Sequence, residues 1–320
     1  MMTSHRSVLS VPGHIHKMHV KAAASVADVI MLDLEDSVPL EEKTAARAQV
    51  LQSLAGLPWR SKTLSVRINA LDTPFAYRDL LEIGEGAGAR LASIVVPKVD
   101  HPGDIHFVSR FLDGIEQARG LPAAIAIEAG IESARGLAAV RAIAAASPRL
   151  SALVFGVADY AASVGARLVS LSGHGENEEE IYPGHRWHMA ISRIVMAAKA
   201  EDLLAIDAPY GHFHDQAGLR QAAVMAAALG CDGKWAIHPS QVETINTVFS
   251  PSPEDIARAR TIIAAAEVAR NDGRGAVAVA GRMIDQATLR LARRLYDQAR
   301  SLGLVAEQGG GEEPAAPTMP

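Results

Sequence analysis

The chain alternates between two hydrophobic rhythms. Short, β-branched apolar runs end in turn residues and give way to longer stretches whose apolar positions recur three and four apart. The runs are SVLSVPG (7–13), DVIMLDLED (28–36), TLSVRIN (63–69), SIVVPKV (93–99), AAIAIEA (123–129), ALVFGVAD (152–159), LLAIDAPY (203–210) and GKWAIHP (233–239). Nearly continuous apolar runs of this length read as strands buried on both faces. Between them, EEKTAARAQVLQSLAGL, ESARGLAAVRAIAAASP and DQAGLRQAAVMAAALG read as amphipathic helices, the last with Gly230 where a helix stops. Eight strand–helix units over about 240 residues predict an α/β fold of the (β/α)₈ TIM-barrel type, whose usual length is about 250 residues. The runner-up is an open doubly wound sheet. That fold usually has fewer parallel strands and often a GxGxxG fingerprint, which this sequence lacks.

The pattern divides the chain into a barrel over 1–250, a C-terminal helical extension over 251–305 and a tail over 306–320. The tail, rich in glycine and proline, is expected to be disordered. Residues 166–184, ARLVSLSGHGENEEEIYPG, interrupt the eightfold rhythm with a long polar insertion and are a candidate lid.

Composition narrows the function classes. Of 320 residues 49% are hydrophobic and only 4% aromatic, so the core is aliphatic. The net charge of −5 comes from 36 acidic and 31 basic residues spread along the chain, which offers no basic stripe to a nucleic acid. The single cysteine, Cys231, excludes an internal disulfide framework, and MMTSHRSVLSVPG has too short an apolar run for a secretory signal. No stretch reaches the roughly 18 apolar residues of a membrane span. The expectation is a cytoplasmic protein with no membrane partner.

In a barrel of this kind the strand C-terminal ends converge on one mouth, where catalytic groups sit. Reading those ends in order gives Asp33, Glu35 and Asp36 on the second strand, Arg67 and Asn69 on the third and Lys98 on the fourth. Glu128 is expected to end the fifth, Asp159 the sixth, Asp207 the seventh and His238 the eighth. Carboxylates crowded in a partly dry pocket repel one another unless a cation compensates them, and hard oxygen donors suit Mg²⁺ or Mn²⁺. Each residue also has a plainer reading. Asp36 is either a helix cap near Pro39 or a group behind the metal, and Asp215 is a helix cap. Glu128 is either a metal ligand or half of a structural ion pair, and Lys98 is either its partner or a Schiff-base lysine. His212 and His214 read as surface residues.

Several of these stretches resemble one family. RSVLSVPG (6–13), ADVIMLDLEDSVPLEEKTAAR (27–47), SVRINALDTPF (65–75), VVPKV (95–99), IEAGIESARG (127–136), FGVADYAASVG (155–165) and GCDGKWAIHPSQVETINTVFSPS (230–252) are similar to the citrate lyase beta subunit and malyl-CoA lyase group of the HpcH/HpaI aldolase superfamily. The resemblance runs from about residue 6 to about 300 and implies a Mg²⁺-dependent carbon–carbon lyase. Its substrate would be a 3-hydroxyacyl-CoA such as malyl-CoA, split to acetyl-CoA and glyoxylate. It also implies a role for each matching residue. Glu128 and Asp159 would hold the metal, and Arg67 would bind the thioester or oxo-acid oxygen. Glu35 and Asp36 would hold waters around the metal, and the backbone amides of Val157 and Ala158 would receive the oxo-acid carboxylate. Lys21 matches a family lysine near the CoA. Asp285 matches an acid/base aspartate that reaches a neighbouring subunit's site, which implies a homotrimer or a hexamer.

Two positions depart from the family pattern. Ile15 stands where an arginine is usual and Ser10 where an aromatic residue is frequent, so the acyl group is left open. Hydrolysis of the thioester to malate and CoA, and a citrate lyase beta-type activity on citryl or citramalyl thioesters, are the alternatives. A binding protein without turnover is the reading from a different class.

Overall fold

The computed structural model describes residues 4–59, 62–122, 124–167, 185–271, 277–279 and 282–305. Eight parallel strands close into a barrel in sequence order: β1 Ser7–Pro12, β2 Val29–Asp33, β3 Thr63–Arg67, β4 Ser93–Val96, β5 Ala126–Ile131, β6 Leu150–Phe155, β7 Leu204–Asp207 and β8 Gly233–Ala236. The candidate lid falls, from residue 168 to 184, outside the described residues, as does the tail. Among the described residues no helix is long and apolar enough to cross a membrane.

Strand parity explains why the runs look continuously apolar. One set of side chains faces the surrounding helices: Leu9 and Val11, Ile30 and Leu32, Leu64 and Val66, Ile127 and Ala129 lie in the large cluster with helix residues such as Val50, Leu80 and Val108. The alternate set, Val8, Val29, Met31, Val95, Ala152, Val154, Ile206 and Trp235, fills the barrel interior. Combined with the strand registers, the inward set stacks in layers of four from alternate strands. Val8, Ser65, Glu128 and Ile206 form one, Met31, Val95, Val154 and Trp235 the next one towards the mouth. Ser10 and Arg67 belong to the layer above.

One strand breaks its own parity. Ile127 pairs with Leu150 but Glu128 pairs with Ala152, so β6 carries one extra residue, Ser151, whose hydroxyl donates to the Ile127 carbonyl at 3.2 Å. Leu150 faces the helices and Ala152 faces the interior as a result.

Some helices begin where the sequence provides a side-chain cap. After β1 and β2 come α1 (His16–Ala23) and α2 (Lys43–Gly56), followed by α3 (Ala76–Ala87), α4 (Pro102–Arg119), α5 (Ala134–Ala144) and α6 (Val157–Ser163). Of these, α1, α2, α3 and α6 begin without one. Ser133 caps α5 by accepting from the Gly136 amide, and His101 with Asp104 forms a reciprocal cap on α4. Asp215 caps the helix Gln216–Leu229, which Gly230 ends in a left-handed conformation.

The chain divides into two compact units. His5–Phe249 is the barrel, and the second unit holds Ser4 and the described residues from Ser250 onward. The second unit contains the helix Pro253–Asn271, an antiparallel pair β9 (Val277–Val279) and β10 (Arg282–Ile284), and the helix Gln286–Ser301.

Candidate active site

Asp33 is the last residue of β2 and shares the inward face with Val29 and Met31. Its carboxylate is fully buried and saturated. It accepts from Arg67 Nε and Nη2, both at 2.7 Å, from Ser37 Oγ at 2.5 Å, and from the amides of Glu35 and Ser37 at 2.9 and 3.2 Å. Burial pushes its pKa up, but the Arg67 charge and these donors outweigh burial and hold it below the usual carboxylate range. Asp33 therefore serves as the anchor of Arg67. The guanidinium lies over the Trp235 ring, 5.5 Å from its centroid, and its Nη1 comes within 3.0 Å of Glu35 Oε2. Behind them Lys43 Nζ donates to the Leu34 and Glu35 carbonyls at 2.8 and 2.5 Å, which fixes the loop that carries Glu35.

Lys98 leaves β4 in the left-handed region, with φ of 52°. A residue with a side chain adopts that conformation at a cost, and such residues cluster at functional sites. Here it brings Nζ to 2.6 Å from Glu35 Oε1, 3.5 Å from Asp36 and 3.9 Å from Asp159. Burial lowers the ammonium's pKa, but the Glu35 bond and the nearby carboxylates more than reverse this, so Lys98 is held protonated. Of its two sequence-level readings, the ion pair is the one the structure contains, with Glu35 rather than Glu128 as the partner.

The decisive carboxylate is Glu132, the residue after β5 and just before the Ser133 cap. It is 3% exposed, and its Oε2 has no hydrogen-bond partner in the protein. Two glycines make room for it. A Cβ on Gly130 would stand 2.6 Å from Glu132 Oε1, and one on Gly156 would stand 2.3 Å from Glu132 Cγ. Burial pushes the Glu132 pKa up to about 8, against the pull of Arg67 and reinforced by Glu35 and Asp159. Asp159 lies in the first turn of α6, directly after β6. Both carboxylates line a cavity of about 550 Å³ with Lys98, Asp72, Arg135 and Ser163.

This geometry corrects the assignment of Glu128. The fifth strand runs to Ile131, so Glu128 is its third residue rather than its end and lies inside the barrel, accepting from Ser93 Oγ at 2.6 Å. Four residues of strand, roughly 13 Å at about 3.3 Å each, separate it from Glu132. Asp207 is likewise no mouth residue. Its parity is the helix-facing one, and it pairs with the fully buried Lys234 at 2.5 Å. Asn69 binds Asp79 through its amide side chain and its backbone, at 2.6 and 2.9 Å. Asp36 caps nothing: Pro39 occupies the cap position of the next turn, and Asp36 faces Lys98. His238 caps the short turn Pro239–Gln241, and Asp215 caps its helix as expected.

The remaining candidates lie at the periphery or in the other unit. Val157 is buried and Ala158 exposed at the start of α6, beside Asp159. Lys21 is exposed in the last turn of α1 and does not line the cavity. Asp285 belongs to the C-terminal unit, where its carboxylate caps the last helix by accepting from the Thr288 amide at 2.8 Å and hydroxyl at 3.0 Å.

A divalent cation fits the donors at the mouth. Among the described residues no three or more acidic, histidine or cysteine side chains converge as a ligand cage. Mg²⁺ asks for less, namely one or two carboxylates with waters completing the shell. A buried, unpartnered Glu132 oxygen beside Asp159 supplies that set, and a cation is what makes an ionised Glu132 affordable there.

The model of the HpcH/HpaI aldolase/citrate lyase family matches residues 6–239, from the first strand through the last. The chain belongs to this family. Over 302 residues it is 43% identical to the L-malyl-CoA/beta-methylmalyl-CoA lyase of Cereibacter sphaeroides, covering 93% of this chain and 95% of that one. A (3S)-malyl-CoA thioesterase of the same organism is 33% identical over 305 residues, covering 93% of this chain and 95% of the relative. Among solved structures, CitE from Mycobacterium tuberculosis in complex with magnesium, acetoacetate and coenzyme A is similar with a TM-score of 0.75 and 30% identity, over 94% of this chain and all of that one. The family assignment and the barrel agree with the reading made from the strand-end motifs.

Proposed function

We propose that this protein is a Mg²⁺-dependent carbon–carbon lyase that cleaves a 3-hydroxyacyl-CoA of the malyl-CoA kind into acetyl-CoA and a 2-oxo acid such as glyoxylate. One observation carries the reading: a buried Glu132 oxygen with no partner, cradled by two glycines, lies on the same cavity as Asp159. The lyase names of the relatives and the magnesium, acetoacetate and coenzyme A of the solved neighbour support the substrate class and the metal.

In this reading Glu132 and Asp159 hold the cation. Mg²⁺, or Mn²⁺ in its place, supplies Lewis-acid polarisation of the oxo-acid carbonyl as it forms. The substrate hydroxyl passes its proton to a water held at the mouth by Glu35 and Asp36 as its oxygen becomes the oxo-acid carbonyl. The carbon–carbon bonding electrons move onto the thioester oxygen, and Arg67, fixed by Asp33, donates to that oxygen with no reorganisation needed. Glu35 and Asp36 hold waters at the mouth, with Lys98 neutralising them. The amides of Val157 and Ala158 receive the oxo-acid carboxylate, and Lys21 takes a CoA phosphate. Asp285 of a neighbouring subunit, in a cytoplasmic homotrimer or hexamer, protonates the enolate carbon to give acetyl-CoA and removes that proton in the reverse direction.

The test is a single chromatographic run on malyl-CoA, with Mg²⁺ and with a chelator, that resolves glyoxylate, acetyl-CoA, malate and free CoA. Equal amounts of glyoxylate and acetyl-CoA, abolished by the chelator, are expected. Malate with free CoA overturns the lyase reading in favour of a thioesterase.

A further inference from the structure

Glu128 is left without a task at the mouth, yet its surroundings are unusual for a structural carboxylate. It is 1% exposed, Ser93 Oγ satisfies only Oε1, and Oε2 has no partner in the protein. Two other sealed atoms of the barrel interior share that condition: Ser65 Oγ and Trp235 Nε1. Ser65 lies in the same layer as Glu128, and Trp235 lies in the next one towards the mouth. Buried polar atoms are almost always satisfied, so three such atoms in adjacent layers of one chamber point to a shared partner. Their chemistry is complementary. An indole N–H only donates, a carboxylate oxygen accepts, and a hydroxyl does either.

We infer that one buried water bridges Glu128 Oε2, Ser65 Oγ and Trp235 Nε1, and that through it Glu128 is a positioning residue for Arg67. The water accepts from the indole N–H and donates to Glu128 and Ser65, a count of three that is usual for a buried water. The bond fixes the direction of the Trp235 N–H and hence the plane of the ring on which the Arg67 guanidinium lies. Asp33 holds two corners of that guanidinium from the side, and Trp235 supports its face. Glu128 thereby acts on the mouth from two layers below without touching substrate or metal. The kinetic part of this inference rests on the lyase reading; the structural part does not.

The test uses the full-length protein labelled with 5-fluorotryptophan, whose three resonances, Trp59, Trp187 and Trp235, are assigned by single Trp→Phe variants. Glu128→Gln and Ser65→Ala are each expected to move the Trp235 resonance and leave the other two in place. Calorimetric Mg²⁺ titration of Glu128→Gln is expected to give an affinity within about twofold of the parent. Its kcat, counted per Mg²⁺-binding site, is expected to fall about tenfold with KM nearly unchanged, the scale of a small misplacement of a catalytic group. A crystal structure should place one water within hydrogen-bond reach of all three atoms. A static Trp235 resonance in both variants, or a chamber without water, overturns the inference. A Mg²⁺ affinity weakened tenfold by Glu128→Gln overturns it as well, because Glu128 would then be a ligand. If no thioester is turned over by the parent protein, the lyase reading fails, and the resonance and the water still decide this inference. Should Glu128→Gln not fold, Ser65→Ala carries the resonance comparison, and Trp235→Phe, which keeps an aromatic face and loses the N–H, carries the kinetic one.

Discussion

Glu132 lies so close to Gly156 that a single methyl group on the glycine would reach within 2.3 Å of the glutamate Cγ and 2.7 Å of its Cδ. The Gly156 backbone, at φ −101°, suits alanine, so any effect of Gly156→Ala comes from that contact and not from backbone strain. The variant is expected to fold, to bind Mg²⁺ at least about tenfold more weakly, and to lose about 100-fold in kcat/KM. Calorimetry and steady-state kinetics read the two effects. In a Glu132→Gln background the added methyl should cost almost nothing more, because both changes remove one interaction.

Lys98 is held protonated by Glu35 at 2.6 Å. A protonated amine is no nucleophile, so no Schiff base is expected at Lys98. Borohydride reduction in the presence of glyoxylate or pyruvate should leave the mass of the peptide carrying Lys98 unchanged. A stoichiometric adduct there would revive the Schiff-base mechanism and remove the need for a metal.

Asp207 and Lys234 form a sealed ion pair on the helix-facing side of the barrel. Removing one partner strands the other charge, so Lys234→Met is expected to destabilise the protein by about 3–5 kcal/mol in urea unfolding. The double variant Asp207→Leu with Lys234→Met should recover most of that loss. The kcat of the folded fraction should stay within about twofold throughout, since neither group reaches the mouth.

Asp33 sets an acid limb. Its pKa in the folded protein lies below the ordinary 3.8, so it contributes stability that is present above that value and is lost as pH falls through the lower folded value. Asp33→Asn lacks this titration. The gap in Tm between the parent and Asp33→Asn, followed by calorimetry from pH 6 downward, should therefore be constant at first and narrow below about pH 4. A gap that does not change down to pH 2 would show that Arg67 does not hold the carboxylate ionised.

Asp285 caps the last helix through the Thr288 amide. Asparagine caps as well as aspartate does, so Asp285→Asn should shift stability by less than about 0.5 kcal/mol. Its turnover should fall by about 100-fold or more if the carboxylate transfers the proton. Full turnover in a variant that still binds Mg²⁺ would end that role.

Much of this was legible in the sequence because period and punctuation agreed. The eight apolar runs overlap all eight strands, and the barrel rule then put Arg67, Lys98 and Asp159 at the mouth. The miss is equally physical. IEAGIE contains two Ile–Glu pairs four residues apart, both on the inward parity, and apolarity alone does not say which one ends the strand. The signal that separates them is the punctuation: Ser133 begins the next helix, so Glu132 and not Glu128 is the last residue before the turn. Asp207 escaped for a different reason. Its parity depends on where β7 registers against β8, and only the structure supplies that register.

The extra residue in β6 has a consequence for how this sequence can drift. The bulge absorbs Ser151, so Ala152 and Val154 face inward and Gly156 arrives opposite Glu132. Deleting Ser151 would only place Ala152 directly after Leu150, in register with Glu128 after Ile127, so the phase beyond would be kept. A deletion between Ala152 and Phe155 has no bulge to absorb it and would turn Gly156 and Asp159 away from Glu132. Beyond the bulge residues can be exchanged, but their number cannot: from Ala152 onward the distance between the two carboxylates is kept by counting.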